Sequence, residues 1–458
     1  MGLHRRMSAL LIATVMLSVA GCGAGTGSSE NSDVTKTAGQ FDWKRYSGQT
    51  INVMLNEHPW TDAVKKLLPE FEQQTGIKVK LQTYSEELYF DKMEQAVRSA
   101  EPPDAYFLPM DDFAANHYAA GLMEPLSPYL NNKSLTEPGY DITDIPEGLL
   151  APGKFPAGAA DAQQYEIPVS TEAYILFYNK DLVDQYLGGT VPQTMPELIT
   201  AAQKITQEAN GKVYGAVMRG VRSDTARDTL TGFVLNEWPK NRAIQAPYNV
   251  WFDGSWSKPR LDDPDIMRGV SDYSNLLAVG PPNKFNLDWS DCVSLFQQGK
   301  AAFFADASVF GPSFEDTSQS RVAGHVGYAT LPKTSAAGTT GVWSWALAMP
   351  KAAKNKDAAW TFIQWATDKQ RTAQIGKDTG GPPRQSAAAN ADYLKSLNPD
   401  YINGVKTAMS DARTTAVMRN GWKPGVYVII DGMLAIARGA NPQPSMQQAN
   451  EKMKSTIS

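Results

Sequence analysis

Ile167-Pro-Val-Ser-Thr-Glu-Ala-Tyr-Ile-Leu-Phe-Tyr-Asn-Lys-Asp181 divides the chain in two. Residues 173–178 form an unbroken aliphatic and aromatic run. Pro168 precedes it and Asn179-Lys-Asp181 follows, the pattern of a short buried strand ending in a turn. One α/β unit is expected before it and another after it, so this strand is the expected crossover between two lobes. A chain of 458 residues is too long for one ordinary core and suits two domains of roughly 200 residues. The net charge of -5, from 43 basic and 48 acidic residues interspersed, provides no basic field for nucleic acid and no polybasic patch for anionic lipid.

The amino terminus reads separately. His4-Arg-Arg6 is a charged head, and the apolar stretch 9–19 that follows is too short to span a bilayer. Leu17-Ser-Val-Ala-Gly-Cys22 is similar to a bacterial lipobox, which makes 1–22 a signal peptide and Cys22 the lipidated first residue of the mature chain. Residues 23–46 are then a flexible tether rich in Gly, Ser, Thr and Asn, and the protein sits lipid-anchored on the extracytoplasmic face of the cell membrane. Cys292 is the one cysteine left, so the mature chain holds no intramolecular disulfide and no Cys-based metal site. Nothing cationic flanks Cys292, and it reads as a core residue.

Toward the amino end, Thr50-Ile-Asn-Val-Met-Leu55 alternates apolar residues at a strand period. Ala63, Val64, Leu67, Leu68 and Phe71 then fall at helical spacing, with Thr61 or Asp62 as the expected cap, Pro69 as a kink or early end, and Gly76 as the stop. Ile77-Lys-Val-Lys-Leu81 alternates again, so the unit is β-α-β and its sheet parallel. Ser85-Glu-Glu-Leu88 opens another helix and Asp104-Ala-Tyr-Phe-Leu108 is a third strand. Ligands of open α/β sheets collect at the carboxyl ends of strands. That rule selects Asn56, Glu57, His58 and Trp60 after the first strand, Tyr84, Ser85 and Glu86 after the second, and Met110, Asp111 and Asp112 after the third. Carboxylates that accept from hydroxyls, with rings that cover C–H faces, suit polyhydroxylated ligands. Each residue also has a plainer reading: Ser85 and Asp111 as helix caps, Glu57 and His58 as solvated loop residues, Trp60 as core. Residues 121–164, rich in Pro, Gly and Asn, read as irregular surface structure closing the first lobe.

Beyond 181, a helix is expected from Glu197 to about Ala209 and a strand at Val213-Tyr-Gly-Ala-Val-Met218. Arg219 follows that strand directly, and its guanidinium can fork onto ligand oxygens or pair with a neighbouring Asp. Leu295 to Gln298, the Gly299 stop and the apolar run 301–305 describe a helix leading into a strand. Asp306 at its end either faces the cleft or caps the next helix. Two further strands are expected at 324–332 and 341–350, and Trp343 and Trp345 share a face of the second, for ligand stacking or for core packing. Helices at 354–366, 426–437 and 446–457 complete the reading.

The quoted strand with its Tyr178-Asn-Lys-Asp181 end, the stretch 288–308 and the helix 354–366 resemble, in that order, segments of the family 1 extracellular solute-binding proteins. These are the ligand-capturing subunits of sugar-type ABC importers. Residues 191–198 are similar to another segment of the family, with Met195 where Trp is usual. The resemblance implies an α/β, two-lobed periplasmic-binding fold, type II-like and built like maltose-binding protein, with crossovers near 167, 303 and 350. The first lobe would be 47–168 plus 304–350, the second 169–303 plus 351–458. It implies a monomer without cofactor, metal or catalytic residues that closes on a carbohydrate by hinge bending and delivers it to a membrane permease. Glu172 and Tyr174 on the crossover strand, Arg384 and Trp422 join the contact candidates. Asp306-Ala-Ser308, Val326-Gly-Tyr-Ala329 and Trp343-Ser-Trp345 look most like the branch that takes sugar alcohols and simple sugars, with a short oligosaccharide still open. The rival reading is an exported carbohydrate-active enzyme using Glu57, Glu86, Glu87 or Asp111. No pair identifies itself as the two carboxylates about 5 to 10 Å apart that glycoside hydrolysis needs. A surface-binding lipoprotein unconnected with transport would share the anchor without needing a hinged cleft.

Overall fold

The structure, a computed structural model, describes residues 39–457 except 246 and 335–337. Cys22, the signal segment and most of the expected tether lie outside them. Strands β1 (Thr50–Asn56), β2 (Lys78–Tyr84) and β3 (Ala105–Pro109) begin the first lobe. β1 pairs in parallel with both of the others, because the connecting helices α1 (Pro59–Thr75) and α2 (Glu86–Val97) return the chain to the same end of the sheet before each new strand. His58, rather than Thr61 or Asp62, caps α1: its Nδ1 accepts from the Trp60 N–H at 3.1 Å. The helix runs on through Pro69 to Gly76, whose φ of 71° ends it, since burial of Val64 and Phe71 on either side outweighs the lost backbone bond. Helix α3 (Asp112–Ala119) leaves β3.

β4 (Glu166–Asn179) joins the halves, and all of it but Tyr178 is buried. After it come β5 (Tyr214–Val217), β6 (Ala301–Ala307), β7 (Val326–Thr330), β8 (Gly341–Ala348) and the short β9 (Arg413–Thr414). The ladder runs β2-β1-β3-β8-β4-β6-β5, with β7 on β4 and β9 on β8. β4 changes partners along its length: Glu166 to Ala173 pair antiparallel with β8, whereas Tyr174 to Asn179 pair with β6 and β7. The exchange between Ala173 and Tyr174 marks the hinge, and burial on both faces explains why this strand reads as an unbroken apolar run.

Two boundaries differ from the sequence reading. The crossover expected near 303 is absent, because β6 and β7 both lie against the second half of β4; the return is β8, whose Trp345 to Ala348 pair with β3. Residues 304–341 therefore belong with the second lobe. After β8, the helices Lys356–Ala366 and Lys369–Thr379 pack on α1 of the first lobe, through ring contacts of Phe71 with Phe362 and Trp365 and the Lys66–Asp378 ion pair. The chain is back in the second lobe by Tyr401, which meets Tyr328 and donates to the Ser308 carbonyl. Alternation reveals a strand but not its neighbour, which is why pairing could not be read in advance. The tether also ends earlier than 46, since the Tyr46 hydroxyl is fixed on Asp357 at 2.9 Å.

Helix Met195–Ala209 lies so close to β5 that a Cβ at Gly215 would sit 1.8 Å from the Ala202 carbonyl oxygen. Gly215→Ala should cost at least about 1–3 kcal/mol, seen as a calorimetric melting point lowered by several degrees; an unchanged melting point would contradict this packing.

Candidate ligand-binding site

Charged side chains from both lobes meet at the carboxyl ends of the strands. Arg227, the first residue of the helix Arg227–Glu237 in the second lobe, donates to Asp111 and, at 2.7 Å, to Asp112 Oδ1 in the first. On its own lobe Asp228 and Asp224 lie 3.5 and 3.6 Å from the guanidinium, which also sits over the rings of Trp343 and Phe113 at 5.4 and 5.7 Å. Asp111 caps α3 as well, accepting from the Phe113 N–H, so the cap reading and the site reading hold together. Arg219 forms a two-pronged pair with Asp306 at 2.6 and 2.8 Å and donates its remaining arm to the Thr225 carbonyl. Of the two readings offered for Arg219, the pairing with an Asp is the one seen, and its partner is Asp306, in one closed ion pair at the site's second-lobe wall.

His58 accepts at Nδ1, so its proton is on Nε2, 3.0 Å from Glu172 Oε1, and Ser170 donates to the same oxygen at 2.7 Å. Glu86, at the start of α2, is half-buried and has no hydrogen-bond partner among the described residues. Neither amide atom of the fully buried Asn56 has one either.

Aromatic rings form the first-lobe wall. Trp60, Phe107, Trp345, Phe90 and Phe113 succeed one another within 17° of parallel, with centroids 4.6 to 6.1 Å apart, an offset stacking that favours quadrupole complementarity. Trp343 meets Trp345 edge-on and is the ring turned to Arg227.

Burial raises the carboxyls gathered here, because it disfavours their charged form. Glu86 is pushed up to about 8, with Asp288, Glu172 and Asp228 adding to desolvation and Arg219 opposing it. Desolvation likewise takes Asp224 to about 7 and Asp228 to about 6, and lifts Asp112 well above the usual range.

Several expected contacts lie elsewhere. Met110 turns to Gly153, where an added Cβ would be 2.9 Å from its Cε. Trp60 and Trp345 are buried members of the stack rather than free faces, and Glu57 is exposed. Arg384 is fully buried on the first lobe, donating to the Thr367 and Asp141 carbonyls and covering Tyr140. Trp422 packs edge-on against Phe252 and lines a small recess with Arg227 and Asp228. Tyr174, at the hinge, presses on Gly232. The sequence reading missed Asp224, Arg227, Asp228 and Asp288. They sit on the turns and helix starts just past Met218 and Leu287, so the strand-end rule would have found the first three had it been carried one turn beyond Arg219.

The cleft has a mouth on each side. Toward α1 a cavity of about 520 Å³ opens between Pro59, Ala63 and Lys66 of the first lobe and Trp289, Phe310 and Glu315 of the second. Toward α2 and α3 a recess of about 250 Å³ is spanned by Lys423 donating to Asp91 at 3.3 Å and the Gly421 N–H donating to Asn116 at 3.1 Å.

Two α/β lobes that share exchanging strands and face each other across polar and aromatic side chains define a hinged binding protein. Residues 58–373 match the bacterial extracellular solute-binding protein family, and the chain belongs to it. It is 28% identical over 407 residues to the erythritol/L-threitol-binding protein of Mycolicibacterium smegmatis, covering 84% of this chain and 83% of that one. It is 30% identical over 289 residues to the mannitol-binding protein of Pseudomonas aeruginosa, 61% of each. An ABC-transporter solute-binding protein of Agrobacterium radiobacter, solved in complex with ribitol, superposes with a TM-score of 0.73 over 89% of this chain and 99% of that one, at 23% identity.

A carboxyl whose pKa is raised by folding contributes stability below its unfolded value near 4, and that contribution is lost as pH climbs through the folded value. The loss therefore runs from about pH 4 up to about 6 for Asp228, about 7 for Asp224 and about 8 for Glu86. The melting temperature should therefore fall by a few degrees between pH 5.5 and 8.5, with a shallower fall in Glu86→Gln; a wild-type curve that is flat or rising over this window would contradict the buried carboxyl cluster.

Proposed function

We propose that the protein captures a small polyhydroxylated ligand, of sugar-alcohol or simple-sugar type, by closing its lobes and delivers it to an ABC permease. The observation that carries this reading is the meeting of Arg227 with Asp111 and Asp112 across the cleft, beside the Trp343 ring. Fork donors and carboxylate acceptors from both lobes can engage successive hydroxyls, and a ring can cover the C–H side. Lobe closure is then driven by contacts the ligand makes only when both walls are present. The erythritol-, mannitol- and ribitol-binding relatives support the class. The family consists of binding proteins, in keeping with a chain that holds its ligand unchanged. No described helix is long and apolar enough to cross a membrane, so attachment rests on Cys22: its lipidation would tether the mature chain to the outer face.

Erythritol, ribitol, mannitol and maltose, titrated separately, test the reading. A bound ligand at a hundred times its Kd stabilises by about 2.7 kcal/mol, a clear thermal shift. Trp343→Ala should weaken binding about tenfold or more, and a panel without any shift would defeat the proposal. Cys22→Ala should move the protein from the membrane fraction to the soluble one; retention on the membrane would remove the anchor.

A further inference from the structure

The two mouths of the cleft are built differently. On the α2 and α3 side the lobes are tied at the rim, Lys423 to Asp91 and the Gly421 N–H to Asn116. On the α1 side no hydrogen bond or ion pair among the described residues joins α1 to residues 289–319, and a cavity of about 520 Å³ stays open between them. Pockets that enclose small organic ligands span about 300–1,000 Å³.

Both walls of that cavity run on from the site. Pro59 follows His58, which meets Glu172 at 3.0 Å, and Glu172 lies opposite Trp343 in the ladder of β4 with β8. Trp289 follows Asp288, whose carboxylate accepts from the Thr225 hydroxyl at 2.7 Å, and the Thr225 carbonyl accepts from Arg219 at 2.6 Å. The rim bonds obstruct the other side, so a ligand held at Arg227 and Trp343 has room to extend toward α1.

The second-lobe wall of the cavity is aromatic. Trp289, which opens the helix Trp289–Gln297, stacks on Phe310 with centroids 5.2 Å apart and planes 12° from parallel. Phe310 is buried and Trp289 is half-buried. No second ring covers Trp289, and its indole N–H has no hydrogen-bond partner among the described residues. Asp62 and Lys66 of α1 line the opposite side with charged heads open to solvent. A ring face with a free donor, opposed by polar side chains, suits a sugar ring, whose C–H face is apolar and whose edge carries hydroxyls.

We infer, resting on the polyol reading, that the ligand is an alditol carrying a glycosyl unit, with the alditol at Arg227 and Trp343 and the sugar ring laid on Trp289 in the α1 mouth. A bare alditol at Arg227 and Trp343 leaves the cavity to water. A glycosyl ring fills it and touches both lobes, adding contacts made only in the closed form, which is the differential binding that closure requires.

Sorbitol and maltitol, the same alditol without and with a glucosyl ring, isolate the second contact. Calorimetric titration of the wild-type protein should find maltitol at least tenfold tighter. Trp289→Ala should reduce the maltitol-to-sorbitol ratio severalfold. Ser290→Trp, at an exposed position lining the same cavity, fills the space and should reduce the ratio likewise, which provides the test should the first variant fail to fold. Maltitol that binds no tighter than sorbitol or not at all, or a ratio that survives both substitutions, overturns the inference; binding of any bare alditol then leaves the polyol reading standing. Silence toward sorbitol, maltitol, erythritol and ribitol overturns both.

Discussion

One guanidinium holds the two lobes face to face. Arg227 spends its charge on Asp111 and Asp112 across the cleft while Asp224 and Asp228 crowd it from its own side. Desolvation pulls its pKa down and Asp228 pulls it back up, the balance expected of a buried cation kept charged by its partners. Removing one partner from such a set leaves an uncompensated buried charge, so the arrangement is stable only as a whole. The rings of Trp343 and Phe113 flank the guanidinium, excluding water from one side and strengthening the ion pairs.

That interaction needs two surfaces which can approach and separate, and β4 supplies them. By exchanging β8 for β6 and β7 between Ala173 and Tyr174, it lets each lobe keep a fully hydrogen-bonded sheet while only a few residues share both. The bulge between Trp345 and Ala346 on β8 lies beside this exchange, where a ladder irregularity re-aims side chains. The stack from Trp60 to Phe113 stiffens the first-lobe wall, so that closure moves one rigid surface toward another, as hinge motions do.

Much of this was legible in the residues. The strand periods at 50–55 and 341–350, the Gly76 and Gly299 stops, and the apolar run of β4 depend on local pattern and appear where the pattern puts them. Crossover positions were not legible, because a strand such as 301–307 has the same alternation whichever neighbour it takes. Of the side chains brought together here, His58, Glu86 and Asp111 were picked out by the rule that strand ends carry function, Trp343 by the alternation of its strand, and Glu172 only by the family resemblance. Met110 and Arg384 are not among them: the first turns toward Gly153, and the second finds backbone carbonyls around Tyr140 that no spacing announces. Arg227 lay within an Asp-rich turn that reads as a solvated loop until its partners from the other lobe are known.

Capture by hinge closure requires that ligand draw the lobes together across the mouth bounded by Arg98 on the first lobe and Asn420 on the second. Spin labels on Arg98→Cys and Asn420→Cys, with the buried Cys292 left unlabelled, report that separation directly by pulsed dipolar spectroscopy. Saturation with a polyhydroxylated ligand of proven binding should shorten and narrow the distance distribution. An identical distribution with and without bound ligand would contradict hinge closure as the mechanism of capture.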